Sequence, residues 1–289
     1  MAPRPPSKRP SKRSSDHAPR RQAGRSSRRL SDGPRLPAAD DGGPLILHGR
    51  HPVEAALDNP ARPVLGLWTS APLDDAMAAR ARARGLEPAV LAREALTAML
   101  PPGAVHQGLV LAVGSLPDVA LDDLPHASPA GADVVVVLDQ VSDPHNVGAI
   151  LRSAAALGAR AVITQDRHAP AETATLAKAA SGALERLPLI RVTNIVRALE
   201  ALRDKGYWSV GLEADAPVTL AAAGLTGPLA LVLGAEGAGL RRLTRETCDH
   251  LARLPMTGAM ESLNVSNAAA VALYELRRTA LEHIGRRKG

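Results

Sequence analysis

The chain has 289 residues, 45% of them hydrophobic, with a formal net charge of +6 and one cysteine. That length fits about two domains, and no apolar run reaches the roughly 18 residues of a membrane span. The lone Cys248 excludes a disulfide framework and a multi-cysteine zinc site, and reads as a small buried hydrophobe in a reducing compartment.

The charge is concentrated at one end. Residues 1–42 hold 11 Lys/Arg and 4 Asp/Glu, a net of +7, which leaves the remainder at −1. The same stretch has seven prolines and no hydrophobic period, so it reads as a disordered basic arm. Its charge suits sequence-independent attraction to nucleic acid, a solubilising extension being the alternative. It lacks the apolar core of a secretory signal, and its prolines oppose the amphipathic helix of a transit peptide. Trp68, Trp208, Tyr207 and Tyr274 are the only aromatics, too few for the base-stacking platforms of RRM or OB modules. RNA, if bound, would be held by backbone, shape and polar contacts.

Residues 43–113 read as a small α/β domain. Leu45-Ile46-Leu47 opens a strand, and His48-Gly49-Arg50-His51-Pro52 leads into a short helix through Ala55, Ala56 and Leu57. Val64 to Trp68 is a strand, and Asp74 to Arg84 a helix stopped by Gly85. A strand at Pro88 to Leu91, a helix at Glu94 to Met99 and a strand at Gly108 to Val113 complete it. His48, His51 and His106 lack metal-site spacing, so loop packing or nucleic-acid contact is expected and no metal. Residues 114–130, rich in Pro, Asp and Ala, form a linker.

From 131 to 289 the pattern is repeated strand–helix units, hence a mostly parallel sheet with helices on both faces. Val134 to Leu138 reads as a strand buried on both faces. A polar loop from Asp139 to Asn146 follows, then a helix from Val147 to Leu157 ended by Gly158. On that helix Gly148, Arg152 and Ala155 share a face, which places Arg152 where Gly148 leaves room for a substrate. Further strands are expected at Val162-Ile163, Leu187 to Val192 and Trp208 to Leu212, and helices at Thr173 to Ala180 and Ile195 to Lys205.

Leu229 to Leu233 is another buried strand, entering Gly234-Ala235-Glu236-Gly237-Ala238-Gly239 and a helix from about Arg241. The spacing is G-x-x-G-x-G, not the dinucleotide fingerprint, and Glu236 would repel a pyrophosphate. A loop tolerant of close approach beside a carboxylate suits a cationic nucleoside ligand such as S-adenosylmethionine. Leu251 to Leu254 is the last strand; the loop through Met256, Ser262, Leu263 and Asn264 follows it. That loop holds several helix-capping residues before an apolar helix carrying Ala270, Val271, Tyr274 and Leu281. Loops at the carboxyl ends of such strands are where open α/β sheets bind ligands.

With these residues in place the chain resembles the SPOUT (SpoU/TrmH) class of RNA ribose 2′-O-methyltransferases. Three segments, in order, carry the resemblance: Asn146-Val147-Gly148-Ala149-Ile150-Leu151-Arg152; Leu233-Gly234-Ala235-Glu236-Gly237; and Leu254-Pro255-Met256 with Ser262-Leu263-Asn264-Val265-Ser266. Residues His48 to Ala55 and Gly103 to Gly108 are similar to the L30e-like RNA-binding domain of the group that methylates a 23S rRNA guanosine. The resemblance implies a trefoil knot and a homodimer whose site spans both subunits; the lone cysteine and the missing secretory signal make cytoplasmic residence the expectation. It implies cofactor contacts from Gly234, Leu254, Met256 and Leu263. Asn264 and Ser262 would order the loop or touch substrate, while Asn146 and Glu236 would position Arg152. A guanidinium stays protonated, so Arg152 is expected to clamp an RNA phosphate and stabilise alkoxide charge rather than serve as base. A tRNA guanosine substrate, a non-catalytic rRNA assembly factor and a dehydrogenase are the competing functions.

Overall fold

The structure is a computed structural model describing residues 43–128, 133–168, 170–258 and 262–286. The basic arm of residues 1–42, the end of the expected linker and residues 259–261 lie outside the described residues.

The first unit is a four-stranded sheet with three helices. In chain order these are β1 (Leu45–His48), α1 (Arg50–Asp58), β2 (Val64–Thr69), α2 (Asp75–Ala83), β3 (Ala89–Val90), α3 (Arg93–Ala98) and β4 (Leu109–Val113). The sheet order is β1-β4-β2-β3, with β4 antiparallel to both neighbours. All five residues of β4 are buried, as a central strand requires. Asp74 starts α2 by accepting from Met77 N at 2.9 Å, and Gly85 follows its end at φ +66°. The strand expected from Pro88 shrinks to two residues, because Pro88 has no N–H for the ladder.

The second unit is a six-stranded, wholly parallel sheet, as the strand–helix alternation implies. Its elements are β5 (Val134–Asp139), α4 (Pro144–Ala156), β6 (Val162–Gln165), α5 (Ala174–Ala180), β7 (Leu189–Val192), α6 (Ile195–Asp204), β8 (Trp208–Leu212), β9 (Leu229–Gly234), α7 (Arg242–Thr247), β10 (His250–Ala252) and α8 (Val265–Arg286). The order is β10-β8-β9-β5-β6-β7. Every residue of β5 is buried, because helices cover both faces at the centre of the sheet.

Three details depart from the sequence reading. α4 begins at Pro144, not Val147: Asp143 accepts from His145 N at 3.0 Å and Pro144 supplies a helix-ready φ. Asn146 therefore sits in the first turn of a helix. Gly148 does not clear space for substrate; a Cβ there would lie 2.5 Å from Ala179 Cβ and 2.8 Å from Leu176 O, so it permits close packing of α4 on α5. In α8 the buried stripe is Val265, Ala269, Ala272 and Leu273, whereas Val271 and Tyr274 are 50% and 53% exposed.

α8 returns from the sheet edge at β10 to the centre, packing beside α4 and against β5 and β9. The two helices run parallel and are pinned at both ends. Asn264 Nδ2 donates to Asn146 Oδ1 at 3.0 Å, and Arg277 Nε donates to Leu157 O at 3.1 Å. The second bond sets a cation on the negative end of α4.

The two units meet along a polar seam. Arg62 is fully buried, and its Nη2 lies 2.5 Å from Glu172 Oε1 and 2.6 Å from Glu185 Oε1. Its Nη1 donates to Gly114 O at 2.9 Å, and Asn59 Nδ2 donates to Glu185 Oε2 at 2.9 Å. Gly182, at φ +87°, brings the turn after α5 against α1, where a Cβ would sit 2.7 Å from Ala55 Cβ. The segment expected as a plain linker also packs down: Leu124 is buried against Val135, Val137, Ile163 and Ile190, and Lys205 Nζ donates to Leu124 O at 2.8 Å.

Candidate active site

A cleft of about 460 Å³ opens beyond the carboxyl ends of β8, β9 and β10, in the range of small-ligand sites. Its walls are Leu212 to Ala214, Leu233 to Gly239, and the chain from Leu254 into α8. Gly234, Glu236, Leu254, Met256, Ser262 and Leu263 all line it.

The glycine loop is folded on itself. Gly239 N donates to Ala235 O at 2.9 Å. A Cβ on Gly234 would lie 2.1 Å from Gly239 C and 2.4 Å from Leu240 N, so only glycine permits this closure. Glu213, just past β8, holds the loop from beneath by accepting from Leu240 N at 2.9 Å. On the other side Asp139, with no exposed side-chain surface, accepts from Arg241 Nε at 2.7 Å and from Arg241 N at 3.1 Å. Two carboxylates thus fix both flanks of one loop.

The third wall is anchored at Asn264. Its Oδ1 accepts from Ser266 N at 2.9 Å and from Ser266 Oγ at 2.6 Å, and its backbone O receives Ala268 N. That is an N-cap. The amide's other end reaches Asn146, so the start of α8 is registered against the start of α4.

Arg152 is not brought to this cleft. It is exposed on α4 and lines a separate hollow with His51, Arg80 and Arg186. Among the described residues no bond joins Glu236 to Arg152; Glu236 stands exposed at the cleft mouth. Leu212 to Ala214, and not the segment from Asn146 to Arg152, completes the walls of the cleft. His48 and His106 pack inside the first unit, His48 Nδ1 3.2 Å from Val105 O and His106 Nδ1 accepting from Gly108 N at 3.1 Å.

The cleft suits a nucleoside with a cationic centre. Leu212, Leu233, Leu254 and Leu263 give apolar walls, and Glu213 and Glu236 give negative charge where a pyrophosphate would be repelled.

Sequence profiles match in two places. The SpoU rRNA Methylase family matches residues 133–274, and a family described as RNA 2′-O ribose methyltransferase substrate binding matches residues 46–118. The chain is 42% identical over 238 residues to the 23S rRNA (guanosine-2′-O-)-methyltransferase RlmB of Yersinia pestis, covering 81% of this chain and 96% of that one. With the enzyme of the same name from Coxiella burnetii it shares 41% identity over 239 residues, 80% of this chain and 94% of that one. The chain belongs to the SpoU rRNA methylase family. The SpoU methyltransferase AviRb of Streptomyces viridochromogenes, solved with AdoMet, superposes on this methylase with a TM-score of 0.70 at 28% identity, over 82% of this chain and 91% of that one. Family membership makes the chain an S-adenosylmethionine-dependent RNA 2′-O-methyltransferase.

Sequence reasoning missed Glu213 and Asp139. Each stands at the carboxyl end of a buried strand, the position that singled out the loops after Leu233 and Leu254. The same signal marks Glu213, the first residue past β8. Asp139 was assigned to the polar loop although it ends β5, where only its pairing with Arg241 makes a buried carboxylate tolerable.

Proposed function

We propose that the methylase transfers the methyl group of S-adenosylmethionine to the ribose 2′-OH of a guanosine in 23S rRNA, as a homodimer in the cytoplasm. The observation that carries the substrate is likeness along nearly the whole length of 23S rRNA guanosine enzymes, first unit included. Residues 43–113 would capture RNA, 114–130 connect, and 131–289 carry the chemistry, with the return of the chain from β10 to α8 forming the knot. No metal is required, since an alkyl transfer to oxygen needs no Lewis acid beyond the sulfonium.

Bound S-adenosylmethionine supplies an electrophilic methyl group. Gly234, Leu254, Met256 and Leu263 would hold it by backbone and packing. Asn264 and Asn146 would keep the third wall in register, and Ser262 at the lip would face ribose. The 2′-OH must approach in line with the methyl–sulfur bond, so positioning supplies much of the rate. Arg152 would clamp a neighbouring phosphate and stabilise charge growing on the attacking oxygen.

Arg152 lies outside the cleft of its own chain, and this favours a composite site: Arg152 from one subunit serves the cleft of the other. Exposed apolar groups, Met256 and Leu263 at the cleft and Val271 and Tyr274 along α8, would supply a surface for that pairing. The test is subunit complementation with labelled S-adenosylmethionine and 23S rRNA. Arg152→Ala and Gly234→Val should each be inactive alone. Mixed, with subunits allowed to exchange, they should regain about a quarter of wild-type activity, the share expected of random C2 pairing with one intact site per heterodimer. Failure of the mixture to regain activity, with exchange verified, refutes the composite site. A wild-type enzyme that leaves 23S rRNA unlabelled refutes the substrate.

A further inference from the structure

The hollow that holds Arg152 lies on the seam between the two units. Its volume is about 360 Å³, and its lining includes His51, Glu54 and Asp58 from α1, Arg80 from α2, and Arg152 and Arg186 from the second unit. The charges there are not equivalent. Asp58 Oδ1 is 2.8 Å from Arg80 Nε, and Glu54 Oε1 is 2.8 Å from Arg50 Nε, a guanidinium that Asp74 shares at 2.7 Å, so each acid of the hollow already faces an arginine of the first unit. Arg152 and Arg186 are exposed, and among the described residues neither guanidinium has an ion-pair or hydrogen-bond partner. His51 is likewise exposed at the start of α1. Two guanidinium groups without a partner among the described residues, and an imidazole, therefore face one hollow whose acids pair with arginines of the first unit.

The positions are held firmly. The Ser181-Gly182 turn presses on the backbone of α1, where a Gly182 Cβ would sit 3.2 Å from His51 O. Ser181 is left-handed at φ +50° without being glycine, a conformation that persists only when surroundings enforce it. The buried Arg62 clamp locks the same seam. A donor cluster built from two units and fixed by their packing has its charge ready before any ligand arrives.

We infer that this hollow is a phosphodiester subsite: one RNA backbone phosphate is held between His51 of the first unit and Arg152 and Arg186 of the second. Planar guanidinium groups match phosphate oxygens in bidentate fashion, and the hollow has no Phe, Tyr or Trp side chain on which a nucleobase could stack. The inference rests on the methylase reading and adds to it. His51 and Arg186 become RNA-positioning residues, and the strand captured by the first unit is delivered to Arg152 through a shared phosphate. Neither residue touches the reacting atoms.

The experiment measures 23S rRNA transcript binding by the full chain against rising KCl, with steady-state methyl transfer and S-adenosylmethionine affinity alongside. The variants are Arg186→Gln, Arg186→Lys and His51→Ala; Arg197→Gln, an exposed arginine on α6 away from the hollow, is the control for generic charge loss. Loss of one phosphate contact should flatten the slope of log K against log salt by about 0.7–0.9 and weaken RNA binding roughly tenfold in Arg186→Gln. KM for RNA should rise by the same factor, with cofactor affinity and thermal midpoint unchanged. Arg186→Lys should keep the slope, since it keeps the charge. The inference is overturned if Arg186→Gln and His51→Ala match the Arg197→Gln control in slope and KM. It is also overturned if their losses track a lowered thermal midpoint, which would mark them as seam packing only. A wild type that binds RNA with these slopes but transfers no methyl would instead sink the proposed activity and leave the phosphate subsite standing.

Discussion

Gly234→Ala adds a single methyl group where the glycine loop closes on itself. The new Cβ would sit 2.1 Å from Gly239 C and 2.2 Å from Gly239 O, against ordinary contact beginning at 3.4 Å, so loop backbone must withdraw by more than an ångström. Backbone cannot rotate away as a side chain could. Withdrawal strains the Gly239 N to Ala235 O and Leu240 N to Glu213 Oε1 bonds, each 2.9 Å, and each worth on the order of 1 kcal/mol. Overpacking adds about 1–3 kcal/mol if the loop resists. A loss of about 2 kcal/mol from the bound state alone corresponds to roughly 30-fold weaker S-adenosylmethionine binding. Titration calorimetry with cofactor reads this directly, and thermal unfolding without cofactor reports the share lost from the free protein. A variant that binds cofactor within twofold of wild type would show that the 234–239 loop does not form the cofactor wall.

Other predictions draw on separate parts of the molecule. Asn146→Ala and Asn264→Ala should each destabilise, the second by about 1 kcal/mol more through loss of the α8 cap; a double-mutant cycle should give at least about 0.5 kcal/mol of coupling, and strict additivity would deny the amide bond a role. Arg62→Ala strands Glu185 in the seam at 3% exposure and should cost about 3–5 kcal/mol, seen as a lower urea midpoint, whereas a loss under 1 kcal/mol would mean the seam is wet and loose. Burial, assisted by Asp249, Asp139 and Glu213, pushes the Cys248 thiol up to about 12 from an ordinary 9.0. The folded state thus keeps a proton that the unfolded state releases, so this group's contribution is intact below pH 9 and fades as pH climbs toward 12. Cys248 is half-buried, and with its thiol held protonated it should label with iodoacetamide at pH 8 far more slowly in the native protein than in urea; equal rates would refute the raised pKa.

Local signals carried most of the architecture. Strands such as Val134 to Leu138 and Leu229 to Leu233 were legible because an uninterrupted apolar run between polar loops has few alternatives in a parallel sheet. Helix ends at Asp74, Thr173 and Asn194 were legible or nearly so, because capping chemistry is local. What eluded the sequence depends on partners far along the chain. Gly148 looked like substrate space because nothing local announces Ala179. Val271 and Tyr274 looked like core because periodicity gives a stripe's spacing but not which side of it faces the sheet. Arg152 could be placed on its helix but not in its hollow, since that hollow is made by α1 and the turn after α5. The buried Arg62 gave no hint at all: its two acids lie more than a hundred positions away.

The bond between Asn264 and Asn146 spans 118 positions, and it sets an order on the life of each molecule. As the ribosome releases the chain, the sheet from β5 to β9 and the hollow floor at α4 emerge well before residues 254–268. Until that segment has crossed back to the centre, the cofactor cleft has two walls and no lid. A nascent or carboxyl-terminally clipped chain would carry the arginines proposed to meet RNA but not the wall proposed to hold the methyl donor, and is expected to bind RNA without modifying it. On the proposed cofactor assignment the late wall would act as a completion check, since only a chain made through the start of α8 would have all three walls of the cleft.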